Sequence, residues 1–465
     1  MHPKGSYIRN SHVPPRRVWD LYSNRVLPYH VLPHAHPGHI PGNIWTVSHS
    51  WVDEAARDLV WTPINGHEWP VPIPRETTLE HIRVELLNLG AEYVWLDVLC
   101  LRQQGRDEHE DLRKHEWRLD VPTIGHIYSD PTRCCVTYFN GLGLPFDPSP
   151  SVVLSARHWI SRVWTVQEGT PAWLPGGLTG AASAAAQAFF QVNLPRAILA
   201  RDQKRDMAVR SFAFALRTLR ARHCSTELDR IAGLAYVLGC RTLPVYDEAT
   251  SADAAWAALL MHLPPYKRTL VAVEHVVQQP DSAALFPSWA QVLDMGVGYT
   301  LRSLRPALIL RLVDQASLSS DQPALYFHQV FSPGPCRITD PGSGQLRVQS
   351  LFRKTWFSLQ GSTVGAISEN VTYTLLSLSR TVWMIVDVLR VGELNGTPVL
   401  EVIKRGSMFL YDEPPREMTD TWVDVLYLSN DDASTTSTTA STTSSPREAG
   451  APGVVTRLIQ YAYGA

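Results

Sequence analysis

YVWLDVLCLRQQ, residues 93–104, is an apolar run with a carboxylate in its middle. Val94, Trp95, Leu96, Val98, Leu99 and Leu101 predict a strand covered on both faces, as parallel strands between layers of helix usually are. Asp97 interrupts that run and Arg102-Gln103-Gln104 closes it, so a polar group is wanted at this edge. Upstream, IWTVS (44–48) reads as another strand. TTLEHIRVELLNLG (77–90) reads as an amphipathic helix: Thr77 and Glu80 have capping-box spacing, Leu79, Ile82, Leu86 and Leu89 recur at helical intervals, and Gly90 is the stop. Downstream, GRDEHEDLRKHEWRLD (105–120) suits a solvent-facing helix, with Glu108, Glu110 and Glu116 on a solvated face, and CCVTYF (134–139) is a further strand. Strand, helix, strand, helix, strand is the order of an α/β fold, a mostly parallel sheet core flanked by helices. In such sheets the residues that touch ligands gather at the carboxyl ends of strands. Asp97, Cys100, Arg102 and Gln103 stand near one such end, and Ser48, His49 and Trp51 near another.

Beyond this core, the 465 residues suit two or three domains. Residues 1–43, rich in Pro and His without a sustained period, read as an extended leader, and 44–180 as the α/β domain. Residues 181–299 read as a helical extension that includes RDMAVRSFAFALRTLRARH and has capping spacing at Thr226/Asp229 and Thr250/Asp253. Residues 300–465 read as a β-rich domain of short runs such as ALYFHQVF, QLRVQSLF and TVWMIVDVLRV. Within it, the Ser/Thr run at 431–448 has no apolar residue larger than alanine and reads as a disordered loop.

With 42 basic and 44 acidic residues the chain carries no electrostatic pull toward nucleic acid or an anionic membrane. Its 6 cysteines form no CxxC pair and read as reduced thiols, which places the protein in the cytoplasm. The first residues lack the apolar core of a signal peptide, and LLSLSRTVWMIVDVL is interrupted by Arg380 and Asp387, so neither secretion nor a membrane span is expected. No P-loop, GxGxxG, GxSxG or HExxH motif is present. His30, His34, His36 and His39 invite a metal reading, but intervening prolines extend the chain and no cysteine is near, so no metal and no resident cofactor is assigned.

Four ordered segments carry a resemblance: VSHSW (47–51), YVWLDVLCLRQ (93–103), DVPTIGHIY (120–128) and HWISRVWTVQE (158–168). Together they resemble the fungal heterokaryon-incompatibility (HET) domain. The likeness continues through RHCSTELDRIAGLAYVLGCRTLPVY (222–246) and FPSWAQVL (286–293), covering roughly 40–295. Many members have glycine after the first tryptophan; this chain has Val52, which removes support for a phosphate-cradling turn there. The resemblance implies an effector of cell death in non-self recognition between fungal cells. It also implies a distant similarity to Toll/interleukin-receptor-like domains, some of which cleave NAD through a glutamate, so that NAD would be a substrate.

On that basis Glu168 and Asp97 are the candidate catalytic carboxylates, and Ser48, Trp51, Gln103, Arg162 and Gln167 the candidate ligand-binding residues. These side chains are expected to line one cleft. If 158–168 is helical, Trp159, Val163 and Val166 share one face, and Glu168 sits before Gly169 at the negative end of the dipole, where a raised pKa would suit a general acid or base. Structural alternatives stand beside each role. Asp97 could cap a turn or pair with Arg162, Arg162 could hold Glu168 ionised, and Cys100 could be a buried thiol. The function class opposed to NAD cleavage is a non-enzymatic interaction or signalling module acting by assembly; either implies a protein partner or self-association.

Overall fold

A computed structural model describes residues 7–178, 184–194, 215–294, 310–312 and 324–428, apart from a few positions of one or two residues within these ranges. The chain divides into two units, His2–Pro264 and Pro265–Ala465. The Ser/Thr run at 431–448 and most of RDMAVRSFAFALRTLRARH lie outside the described residues.

In the first unit, β1 (Tyr7–Ile8) pairs antiparallel with β10 (Leu243–Pro244). The main sheet is built from β2 (Arg17–Asp20), β3 (Arg25–Pro28), β4 (Ile44–His49), β7 (Tyr93–Trp95), β8 (Cys135–Tyr138) and β9 (Trp173–Pro175), in the order β3-β2-β7-β4-β8-β9. A separate antiparallel pair joins β5 (Arg57–Val60) to β6 (Val71–Pro74), inside the proline-studded loop. The mostly parallel core expected from the alternation does not form. The β7–β4, β4–β8 and β8–β9 pairings are parallel, but β2 pairs antiparallel with both β7 and β3, so the sheet is mixed. Val18 and Trp19 of β2 are fully buried, and that burial draws in a segment whose four-residue strands are too short to show a period.

Helix α1 (Leu79–Asn88) buries Leu79, Ile82 and Leu86 and stops where Gly90 takes a positive φ of 97°. Its cap is Thr78, whose hydroxyl accepts from the His81 N–H, and not Thr77. The 93–104 run is likewise not one strand. β7 ends at Trp95, Leu96 stays extended (φ −128°, ψ 119°), and Asp97 opens the single helical turn α2 (Asp97–Cys100).

Helix α3 (Glu110–Ile127) joins two segments of the sequence, with Pro122 inside it. Its expected solvated face is partly a buried ion-pair network. The Glu116 carboxylate takes Arg17 Nη2 at 2.6 Å and Arg102 Nε at 3.3 Å, and the Arg17 and Arg102 guanidinium groups lie 5.1 and 4.9 Å from the Trp69 ring centre. Burial alone would raise the Glu116 pKa; Arg17 and Arg102 outweigh it and hold the carboxyl below its ordinary value. Further on, α4 (Pro150–Val153) precedes a block that is not a continuous helix. A 3₁₀ turn at Trp159–Ser161 gives way to extended backbone at Arg162 (φ −95°, ψ 141°), and α5 (Thr165–Glu168) follows. Helix Glu227–Ala232 has the full capping box of Thr226 and Asp229, whereas Ala252–His262 is capped by Ser251 rather than Thr250.

In the second unit, the strands are β11 (Leu310–Leu312), β12 (Ala324–Phe331), β13 (Pro335–Thr339), β14 (Gln345–Ser350), β15 (Thr355–Gly365), β16 (Tyr373–Ser377), β17 (Val382–Leu394), β18 (Thr397–Leu410) and β19 (Trp422–Leu428). Six of them, β18-β15-β14-β13-β16-β17, form a closed antiparallel barrel, the ring sealed by β17 against β18. Closure removes the edges that an open sheet of these apolar strands would expose. Alternate residues point inward: Cys336 and Ile338, Leu346 and Val348, and Phe357 and Leu359 are buried together. Long β18 also pairs in parallel with β19, which carries β12 and β11. Among the described residues, no helix is long and apolar enough to cross a membrane.

Candidate functional site

The site begins at the carboxyl ends of β4 and β7. Thr46 and Trp95 are paired in the parallel register, so Ser48 near the end of β4 and Asp97 just past the end of β7 stand at the same edge of the sheet. β8 lies on the other side of β4, with Ser48 opposite Thr137 and His49 opposite Tyr138. α5 then brings Glu168 to the same edge: Ser48 Oγ donates to Glu168 Oε2 at 2.5 Å and accepts from Trp159 Nε1 at 2.7 Å. With one hydroxyl hydrogen, Ser48 can only run the chain in that direction, from indole to serine to carboxylate.

The second carboxylate is held by a residue that the sequence places at the strand end but does not assign to the site. His49 Nε2 lies 2.8 Å from Asp97 Oδ1, and its Nδ1 lies 3.1 Å from the Ser50 carbonyl. A carbonyl cannot donate, so Nδ1 carries a hydrogen, and Nε2 shares a proton with the carboxylate. Burial by itself would lower the His49 pKa, but the charge and hydrogen bond of Asp97 outweigh it and the net shift is upward. Asp97 Oδ1 also accepts the Val98 N–H at 2.7 Å. Asp97 is thus paired with His49 and not with Arg162.

Asp97, Glu168, His49, Arg162, Trp51 and Trp164 all line one cavity of about 770 Å³, a volume in the range of ligand pockets. Gln103 lines it as well, its amide bonded to the Leu101 carbonyl at 3.0 Å. Five of the seven expected residues therefore share one concave surface. Ser48, 1% exposed, lies behind it and acts through Glu168. Gln167 is 2% exposed and does not line the cavity, although it neighbours Glu168 in sequence.

Burial pushes the Glu168 carboxyl up to about 7; the Ser48 hydrogen bond pulls the other way, the Asp97 charge adds to the rise, and His49 and Arg162 offset part of it. The C-terminal end of α5 points the same way as burial, since the dipole there disfavours negative charge. Behind the site, Arg222 Nη1 donates to Thr165 Oγ at 2.7 Å and to the Arg162 carbonyl at 3.1 Å, bracing the turn that carries Arg162 and Glu168. Cys100 is buried and its thiol is pushed up to about 12, which leaves it no thiolate at neutral pH. Among the described residues, no three His, Cys, Asp or Glu side chains gather as a metal site.

Replacing Ser48 by Ala removes its hydrogen bond to the Glu168 carboxylate, so the midpoint at which Glu168 ionises should move above about 7. Infrared titration of the carboxyl stretch, with Glu168→Gln as the blank, reads this directly. An unchanged or lower midpoint would show that Ser48 does not stabilise the ionised form.

Chemically, the arrangement offers one carboxyl poised to ionise near neutrality, a second fixed by a buried histidine, indole faces and an arginine, all on one cavity. Compared with protein-family models, curated proteins and solved structures, the chain matches none of them.

Proposed function

We propose that the chain is a cytoplasmic HET-family effector of fungal non-self recognition that acts by cleaving NAD at the bond between nicotinamide and ribose. The observation that carries the reading is the convergence of Glu168 and Asp97 on one indole-walled cavity. When that bond breaks, its electron pair leaves with nicotinamide and positive charge grows on the ribose. An ionised Glu168 beside the sugar stabilises this charge in a water-poor site, where such an interaction is strongest. Asp97 Oδ1 is occupied by His49 and Val98, while Asp97 itself faces the cavity, so its second oxygen can take the proton of the water that completes hydrolysis. The products are nicotinamide, ADP-ribose and one proton. The trigger in this reading is a protein partner or a second copy of the chain, and the near-neutral charge balance supports no role for nucleic acid.

Expression of the full chain in yeast, with cellular NAD followed over time, tests the proposal. The NAD pool should collapse before growth stops. Growth arrest with the pool intact would reject cleavage and favour a module that acts by assembly.

A further inference from the structure

Many of the described arginines of the first unit pair with carboxylates. Arg57 pairs with Glu54, Arg102 with Glu116 and Glu68, Arg113 with Glu110 and Glu248, and Arg230 with Glu227. Arg162 differs. Its backbone is fixed on both sides: the N–H donates to the Trp159 carbonyl at 3.2 Å, and the carbonyl accepts from Arg222 Nη1 and Thr165 Oγ. Its guanidinium lines the cavity and has no ion pair or hydrogen bond among the described residues. Glu168, the carboxylate on the next turn, is engaged by Ser48 instead.

Glu168 and Asp229 act on this half-buried guanidinium only through space, without an ion pair or hydrogen bond, so its N–H groups stay open to a ligand in the cavity. Its planar fork of N–H groups can take two oxygens of a phosphate at once, as it can those of a carboxylate. Trp164, two residues further along the chain, and Trp51 line the same cavity, and Arg57 already lies 5.1 Å over the Trp51 ring. We infer that Arg162 is the anion anchor of this cavity, binding the phosphate of a nucleotide whose sugar is presented to Glu168. The inference rests on the NAD reading for the bond that is cut, but not for the anion.

The test uses full-length protein and three substrates with the same scissile bond: nicotinamide riboside with no phosphate, nicotinamide mononucleotide with one, and NAD with a pyrophosphate. Arg162→Gln should lower kcat/KM for the two phosphorylated substrates at least about tenfold more than for the riboside, mainly through KM, the size expected for one charge-assisted contact. Arg162→Lys should recover part of the loss, and matched circular dichroism melts would show that both variants fold. Equal losses on all three substrates would overturn the inference. Calorimetric titration with ADP-ribose separates it from the cleavage reading. Arg162-dependent binding of ADP-ribose by a wild-type protein that cuts none of the three would keep the anion site and remove the NAD reaction. Binding unaffected by Arg162→Gln, or no binding to the wild type at all, would overturn the anchor.

Discussion

Glu168→Gln should lower nicotinamide release from NAD by about a hundredfold to a thousandfold, the usual cost of losing one preorganised electrostatic contact to a charge that develops in the transition state. The substitution keeps size and can still accept the Ser48 hydroxyl, so it removes charge and little else. The pH profile carries the sign of the role. Glu168 ionises at about 7 in the folded protein, so wild-type kcat/KM should rise with pH through that value, and the rising limb should vanish in the Gln variant. A folded pKa above the ordinary carboxylate value also means that the fold is favoured below the unfolded pKa and loses that contribution as pH rises through about 7. Glu168→Gln should therefore melt no lower than wild type at pH 8, which separates lost chemistry from lost structure. Unchanged turnover would show that another group stabilises the charge, with Asp97→Asn as the next variant.

Glu116→Ala should destabilise the first unit by roughly 3–5 kcal/mol, the range for removing one member of a buried ion pair. Glu116 and Arg102 are nearly inaccessible, at 7% and 5% side-chain exposure, and Arg17 is at 14%. Arg102 would keep Glu68, but Arg17 would lose its only hydrogen-bonding carboxylate among the described residues. At ~2–4 °C per kcal/mol for a domain of this size, the unfolding midpoint should fall by about 6–20 °C in calorimetry. Adding Arg17→Ala to the same chain should recover part of the loss, because the stranded cation goes with it. The Glu116 pKa is held below its ordinary value, so this stabilisation is present above the unfolded carboxylate pKa and disappears as pH falls through the folded one. The gap between wild type and variant should close in acid. A fall of less than about 2 °C near neutral pH would mean that the network contributes little to stability, as exposed pairs do.

These two residues differ in how visible they were before the fold was known. Glu168 stood in a block whose resemblance and position before Gly169 both pointed to it, and the structure adds the Ser48 contact, which joins residues 120 apart in sequence. Glu116 read as a solvated helix residue, because its helix neighbours are charged and the two arginines that bury it come from β2 and from the loop after α2. Periodicity located β4 and the bodies of α1 and α3, since each has enough residues to show its period, and β8 was found inside the mostly apolar run at 134–139. It could not locate β2 and β3, which have four residues apiece, and so the mixed character of the sheet was hidden. Nor does any local signal mark the break at Arg162, where no Gly or Pro stands. The extended backbone is set by a distant segment, with the Val163 N–H donating to the His223 carbonyl and the His223 N–H to that of Ser161. Barrel closure is likewise non-local. Apolar runs along β17 and β18 announce strands, but only the register of one against the other seals the ring. At the site, Asp97, Trp51, Gln103 and Arg162 were legible as strand-end and block residues, whereas the bond from His49 to Asp97 depends on the parallel register of β4 and β7.

The central claim is that the cavity bearing Glu168 and Asp97 is a reaction site. Purified full-length protein, both dilute and chemically crosslinked into assemblies, can be incubated with NAD at pH 8 while nicotinamide and ADP-ribose are quantified by chromatography. The two products should appear in equal amounts and exceed one equivalent per chain in at least one of the two forms. No nicotinamide from either form, from protein that still arrests growth when expressed, would contradict the account.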